Sequence, residues 1–269
     1  MNSTNPLLQR LNRMPGETVR LPSLGKFYKN NELSEDSIDG EIILKPMTMT
    51  DEIMMKSPDM LFQGTAIEHV LHRCSPNINS PLDLLSSDVD YILTQLRRIS
   101  YGSSIDIPFV CEKCEHKQEV VIPLDYFLSA SKEIDERDFD SKFSLTTISD
   151  NMLVKLKPIT FRDYIKMQQV NLEALGEPQA LEDYVLESYA SLILSVSDIS
   201  DRALIKEWLA HLPRKDTKRI MDSVHHLQDW GPSFDYKAKC VQCEHVNNLA
   251  TELNPTAFFI RPSSQETID

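Results

Sequence analysis

Apolar positions recur at helical spacing along several stretches of this chain and alternate with polar ones along others. Within residues 88–100, Val89, Ile92, Leu93, Leu96 and Ile99 fall three, one, three and three positions apart, which is one face of an amphipathic helix. Similar signals predict helices from about Thr50 and over 64–74, 161–175, 180–194, 200–210 and 214–228, with Pro213 at a natural first-turn position. Short β-like runs cover Glu41–Leu44 and 152–156. Leu21-Pro22-Ser23-Leu24-Gly25-Lys26-Phe27-Tyr28 reads as a structured turn, and an acidic polar loop follows to Gly40.

The pattern repeats. Leu44-Lys45-Pro46-Met47-Thr48-Met49-Thr50-Asp51 matches Leu156-Lys157-Pro158-Ile159-Thr160-Phe161-Arg162-Asp163, each after a β-like run, with Thr48 and Thr160 as candidate helix caps. Tyr101-Gly102 and Trp230-Gly231 each place their glycine nine residues before a C-x-x-C-E-H segment. Eight residues after each histidine comes Leu124-Asp125 or Leu253-Asn254, with Asp125 and Asn254 as candidate N-caps. An internal duplication is the simplest reading.

The predicted fold class is therefore α+β and mostly helical. Two duplicated halves each end in a β-ribbon cysteine knuckle and join at a split, zinc-ribbon-like four-cysteine site. The expected organisation is an arm and turn over 1–40 and a first half over 41–130. A charged linker and short strand cover 131–151, a second half 152–259, and a fraying tail 260–269.

Cysteine carries the candidate chemistry. Cys111/Cys114 and Cys240/Cys243 form two C-x-x-C pairs separated by 125 residues, and Cys74 stands alone. The opening residues lack the charged and apolar blocks of a secretory signal, so a reducing cytoplasm is expected, where such pairs read as zinc ligands before disulfides. Zinc takes four soft donors in a tetrahedron, and each two-residue spacer lets one turn supply two of them. One zinc per chain, structural and held by Cys111, Cys114, Cys240 and Cys243, is the favoured expectation. Two separate sites, each with two cysteines and His116 or His245, form the runner-up. A redox C-x-x-C is weaker, because neither pair opens a helix after a strand.

The remaining composition mainly excludes. The chain has 269 residues, enough for one large or two modest domains, and no apolar run of membrane-spanning length. Its seven glycines are never closer than nine positions, which removes dinucleotide fingerprints, phosphate loops and nucleophile elbows. No H-E-x-x-H occurs, so no enzyme, small-molecule substrate or catalytic residue is expected. The net charge of −13 disfavours nucleic acid as a partner. Cys74 reads as a small buried hydrophobe, and His69, His72, His225 and His226 as ordinary core or surface histidines. Met47, Met49, Met54, Met55 and Met60 read as core packing, with an adaptable binding face suited to a chaperone as the other option.

The ordered series Leu21-Pro22-Ser23-x-Gly25-Lys26-Phe27-Tyr28, Lys45-Pro46-Met47-Thr48 with Asp51-Glu52, Cys74, Leu96-Arg97 with Ser100-Tyr101-Gly102, and Cys111-x-x-Cys114 resembles the T-even-type bacteriophage baseplate hub family, over about residues 21–125. The resemblance implies a hub structural subunit or hub assembly chaperone with other baseplate hub proteins as partners. It implies work in the cytoplasm of the infected bacterial host or in the tail baseplate of the virion. The alternative from another class is a zinc-ribbon nucleic-acid-binding or transcription accessory protein. That reading calls for basic, aromatic knuckle tips, whereas the tips here are Glu112-Lys113 and Val241-Gln242.

Overall fold

A computed structural model describes residues 15–28, 31–135, 143–147, 149–173, 178–226, 230–249 and 258–259. Most of the expected arm, the 136–142 part of the charged linker, the Leu253-Asn254 anchor and the 260–269 tail lie outside the described residues.

The first part opens with β1 (Glu17–Arg20) paired antiparallel to β2 (Glu41–Leu44), whose alternating Val19, Ile42 and Leu44 point into a core. The intervening turn is tied down by one buried carboxylate. Asp88 accepts from the Ser23 backbone N–H at 3.1 Å, the Ser23 hydroxyl at 2.5 Å and the Tyr28 hydroxyl at 2.6 Å. Three helices follow, α1 (Met49–Met55), α2 (Pro58–Phe62) and α3 (Thr65–Cys74). Gly64 supplies the left-handed backbone that starts α3. The long helix α4 (Ser86–Tyr101) buries the predicted Val89, Ile92, Leu93 and Leu96 face. It stops at Gly102, whose φ of +103° suits glycine alone.

The hairpin β3 (Ser104–Val110) and β4 (Lys117–Pro123) then carries the first cysteine pair and leads into α5 (Leu124–Ser129). Pro123, not Asp125, occupies the cap of α5. Asp125 falls inside the first turn, where its charge still favours the helix N-terminus.

The second part begins with β5 (Ser144–Thr146) and β6 (Leu153–Leu156), joined by β7 (Ile193–Val196) into a three-stranded antiparallel sheet. Helices α6 (Phe161–Glu173) and α7 (Pro178–Leu192) lie between β6 and β7 in sequence. The predicted helix over 180–194 therefore ends early: Ile193 and Leu194 already belong to the strand, because β6 offers a ladder edge at that point. Two further helices, α8 (Arg202–His211) and α9 (Arg214–His226), close the layer, and the Asp201 side chain caps α8 through Ala203 and Leu204.

Two apolar clusters result. One unites β1, β2, α1, α3, α4 and the β3–β4 hairpin, and the other unites the second sheet with α7, α8 and α9. Cys74 is buried in the first cluster as expected, and burial, followed by the nearby Asp51 charge, pushes its thiol up to about 12. Met55 is core, while Met49 stands 78% exposed.

The chain passes between the clusters repeatedly, as at Leu84-Leu85 and at Phe161, which packs into the first. Phe27 stacks on Trp230 at 5.6 Å in the second. Ala238, Leu249, Phe258 and Phe259 pack into the first. The start of the linker is not free surface either: Lys132 exchanges backbone bonds with Gly231, and Ile134 is buried.

Candidate metal centre

Each cysteine pair sits on a turn between two antiparallel strands. The first turn joins β3 to β4. The second joins β8 (Lys237–Lys239) to β9 (Val246–Asn248). The ribbons differ in length, seven residues per strand against three. The short ribbon leans on the first core through Ala238 and Leu249, since two three-residue strands bury too little alone.

The two turns close alike. The Cys111 N–H donates to the His116 carbonyl at 2.9 Å, and the Cys240 N–H to the His245 carbonyl at 2.8 Å. The Glu115 N–H reaches the Cys111 carbonyl at 2.9 Å, and the Glu244 N–H the Cys240 carbonyl at 3.0 Å. Glu115 and Glu244 take left-handed φ values of +58° and +59°. The C-x-x-C-E-H identity thus specifies one local backbone shape twice.

The turns face each other. Sγ of Cys111 lies 3.6 Å from Sγ of Cys243, and Sγ of Cys114 lies 3.6 Å from Sγ of Cys240. All four sulfurs fall within 4.8 Å of one another. A tetrahedral ion with metal–sulfur bonds of about 2.3 Å sets its sulfurs about 3.8 Å apart, so these four fit such an ion. Cys111 and Cys240 are buried, and Cys114 and Cys243 are half-buried. Among the described residues this is the one group of four whose ligand atoms meet in this way. His116 and His245 contribute carbonyls to the turns, so the two-site alternative of two cysteines and a histidine each is not the arrangement observed.

The thiols also act on one another. Burial pushes the Cys111 thiol up, but the N–H groups of Cys114 and Lys113 and the Cys243 thiol outweigh it and hold it below the usual thiol range. The His116 N–H pulls Cys114 down, while burial and the three neighbouring thiols push it further up. Ionising one of these thiols makes ionising its neighbours harder, so the shifts of Cys111 and Cys114 run in opposite directions.

Two further residues complete the site. The Glu112 N–H donates to Oδ1 of Asn247 at 2.9 Å, and the Val241 N–H donates to Oε1 of Gln118 at 2.9 Å. Both amides sit seven positions after the first cysteine of their own pair, a match present in the sequence but hidden by the different residue types.

The equivalences extend away from the cysteines. The Thr48 N–H and hydroxyl both donate to Asp51 at 2.7 Å at the start of α1. The Thr160 N–H and hydroxyl donate to Asp163 at 3.1 and 2.8 Å at the start of α6. Tyr101 ends α4, whereas Trp230, expected at a matching helix end, lies in no helix; what the two places share is a glycine of similar positive φ, +103° at Gly102 and +95° at Gly231.

A family model described as T4 bacteriophage base plate protein matches residues 14–260, nearly the whole chain. The chain belongs to this family of T4-type baseplate proteins. No curated protein and no solved structure matches it. No helix among the described residues is long and apolar enough to cross a membrane.

Proposed function

We propose that this protein is a baseplate hub subunit or hub assembly chaperone that acts by binding other hub proteins, without catalysis, and that its four cysteines hold one structural zinc. The observation that carries the proposal is the four-thiol cage in a chain of the baseplate family. Four thiolates favour zinc among divalent ions and fill its coordination sphere. No position then remains for water or substrate, so Cys111, Cys114, Cys240 and Cys243 would supply folding energy and a fixed junction rather than a reaction.

The matched capping boxes, knuckles and positive-φ glycines support an origin by duplication, with halves of about 41–130 and 152–259 on either side of a linker. One C-x-x-C supplies two ligands and cannot close a tetrahedron. Two facing copies can, which makes a homodimer-like site intrachain. The nucleic-acid reading finds less support, because exposed Lys113, Lys117, Lys237 and Lys239 around the knuckles are balanced by exposed Glu112, Glu115, Glu119 and Glu244. Work in the infected host cytoplasm during assembly, or in the finished tail, follows from the same proposal.

Mass spectrometry of purified particles beside assembly intermediates from infected cells tests it. A hub subunit is found in both, and a chaperone only with the intermediates. A chain absent from both would overturn the proposal.

A further inference from the structure

The Gln118 and Asn247 bonds form a reciprocal interlock. In each knuckle the residue after the first cysteine turns its backbone N–H outward, away from its own turn. Each of these N–H groups is taken by a side-chain amide oxygen from the opposite ribbon, at 2.9 Å in both cases. The second atom of each amide is also engaged. Gln118 Nε2 donates to the Lys239 carbonyl at 3.2 Å, and Asn247 Nδ2 donates to the Ala238 and His245 carbonyls at 3.4 and 3.3 Å. Gln118 thus grips both sides of the opposing first cysteine, Cys240, through Lys239 and Val241. Asn247 is buried, braced within its own ribbon, and reaches across to the residue beside Cys111.

A cage made of two loops far apart in sequence has a particular weakness. Each loop brings two sulfurs in a fixed relation, but the position of one loop against the other is set outside the loops, at longer range by Ala238 and Leu249 packing on the core that roots the β3–β4 hairpin. A displacement of one loop by about 1 Å would take two sulfurs out of bonding range, given how narrowly metal–thiolate distances are set. Partners outside the coordination sphere commonly hold ligands in place, and their loss costs metal affinity.

We propose that Gln118 and Asn247 are positioning residues that hold the two knuckles in register, so that the four sulfurs stay assembled and release metal slowly. This rests on the reading that the cage holds one zinc. Neither side chain touches the ion. Each acts on the backbone beside the cysteine that does.

Gln118 leads the test because it is half-buried on its ribbon, whereas Asn247 is buried and its replacement puts folding at risk. The full-length chain is purified with zinc, and its metal content is measured for wild type, Gln118→Ala and Gln118→Met. Zinc transfer to a coloured chelator is then timed. Methionine keeps the length and apolar stem of glutamine but accepts no comparable hydrogen bond.

The expected result is one zinc per chain in all three at saturating metal. Transfer should be about ten-fold faster in both variants than in wild type. With cobalt in place of zinc, the tetrathiolate absorption should persist in both. Transfer at the wild-type rate in Gln118→Met, with Gln118→Ala fast, would assign the effect to packing and overturn the proposal, as would wild-type rates in both. Absence of zinc from the wild type would instead overturn the reading of the cage itself, an outcome the metal analysis separates from the transfer rates.

Discussion

Sγ of Cys111 lies 3.6 Å from Sγ of Cys243, a residue 132 positions further along the chain. A metal held at this point would cross-link the β3–β4 hairpin, rooted in the first core, to a short ribbon that follows the helices of the second. Removing one ligand should therefore loosen the whole C-terminal segment that packs Ala238, Leu249, Phe258 and Phe259 into the first core.

Cys240→Ser is expected to lower Tm by about 10 °C or more, from a loss of about 3 kcal/mol or more at roughly 3 °C per kcal/mol. Structural zinc contributes more than this in peptides that have no other core; two apolar clusters soften the loss here. Thermal unfolding with and without a chelator checks it. Chelation should lower the wild type toward the variant and leave the variant unchanged.

The two capping boxes should be of similar worth. Thr48→Ala and Thr160→Ala each remove a hydroxyl that bonds the Asp three positions on. Each is expected to cost about 1 kcal/mol. They belong to different helices, α1 and α6, so the double variant should show the sum within about 0.5 kcal/mol. Chemical denaturation of the three variants measures this.

Gly102 and Gly231 share a positive φ but differ in what surrounds them. A Cβ at Gly102 meets nothing within 4 Å, whereas one at Gly231 would sit 3.0 Å from Cβ of Ser87. Gly102→Ala is expected to cost only backbone strain, about 1–3 kcal/mol, because φ +103° with ψ 174° is a region essentially reserved for glycine. Gly231→Ala should cost more, since α4 must also shift. Equal losses in a denaturation series would contradict the packing of Trp230-Gly231 against the start of that helix.

Asp88 gives the pH prediction. Burial lifts its carboxyl from 3.8 to about 6, against the hydrogen bonds from Ser23 and Tyr28 that pull it down. The folded chain therefore holds this proton more tightly than the unfolded chain. The resulting stabilisation is fully present below about pH 4 and lost as pH rises through about 6. The stability of wild type relative to Asp88→Asn should fall across that window by on the order of 3 kcal/mol, at about 1.4 kcal/mol for each pH unit the window spans. Denaturation of both proteins at pH 4 and pH 7 reads the difference, and other carboxylates cancel between them. A pH-independent gap would place Asp88 in contact with water.

The sequence was informative where residue type dictates geometry. The C-x-x-C-E-H segments carry the residues whose backbone makes each turn, Gly102 marks the end of α4, and the Val89–Ile99 spacing marks the buried face of α4. The placing of the second ribbon on the first core was not legible, because that is decided by Ala238, Leu249 and Phe258, apolar residues with no pattern pointing to one core over the other. Strand β7 was hidden for a related reason: Ile193 and Leu194 continue the helical spacing of α7, and only the edge of β6 turns them into a strand. Gln118 and Asn247 escaped because equivalent work is done by amides of different length, so a residue-by-residue match passes over them.

The central claim is one zinc in a cage shared by two distant cysteine pairs, and metal analysis of the purified full-length protein tests it most directly. One zinc per chain in the wild type, reduced to a small fraction in both Cys111→Ser and Cys240→Ser, is the predicted result. Two zincs per chain, or one zinc that survives loss of either cysteine pair, would contradict it.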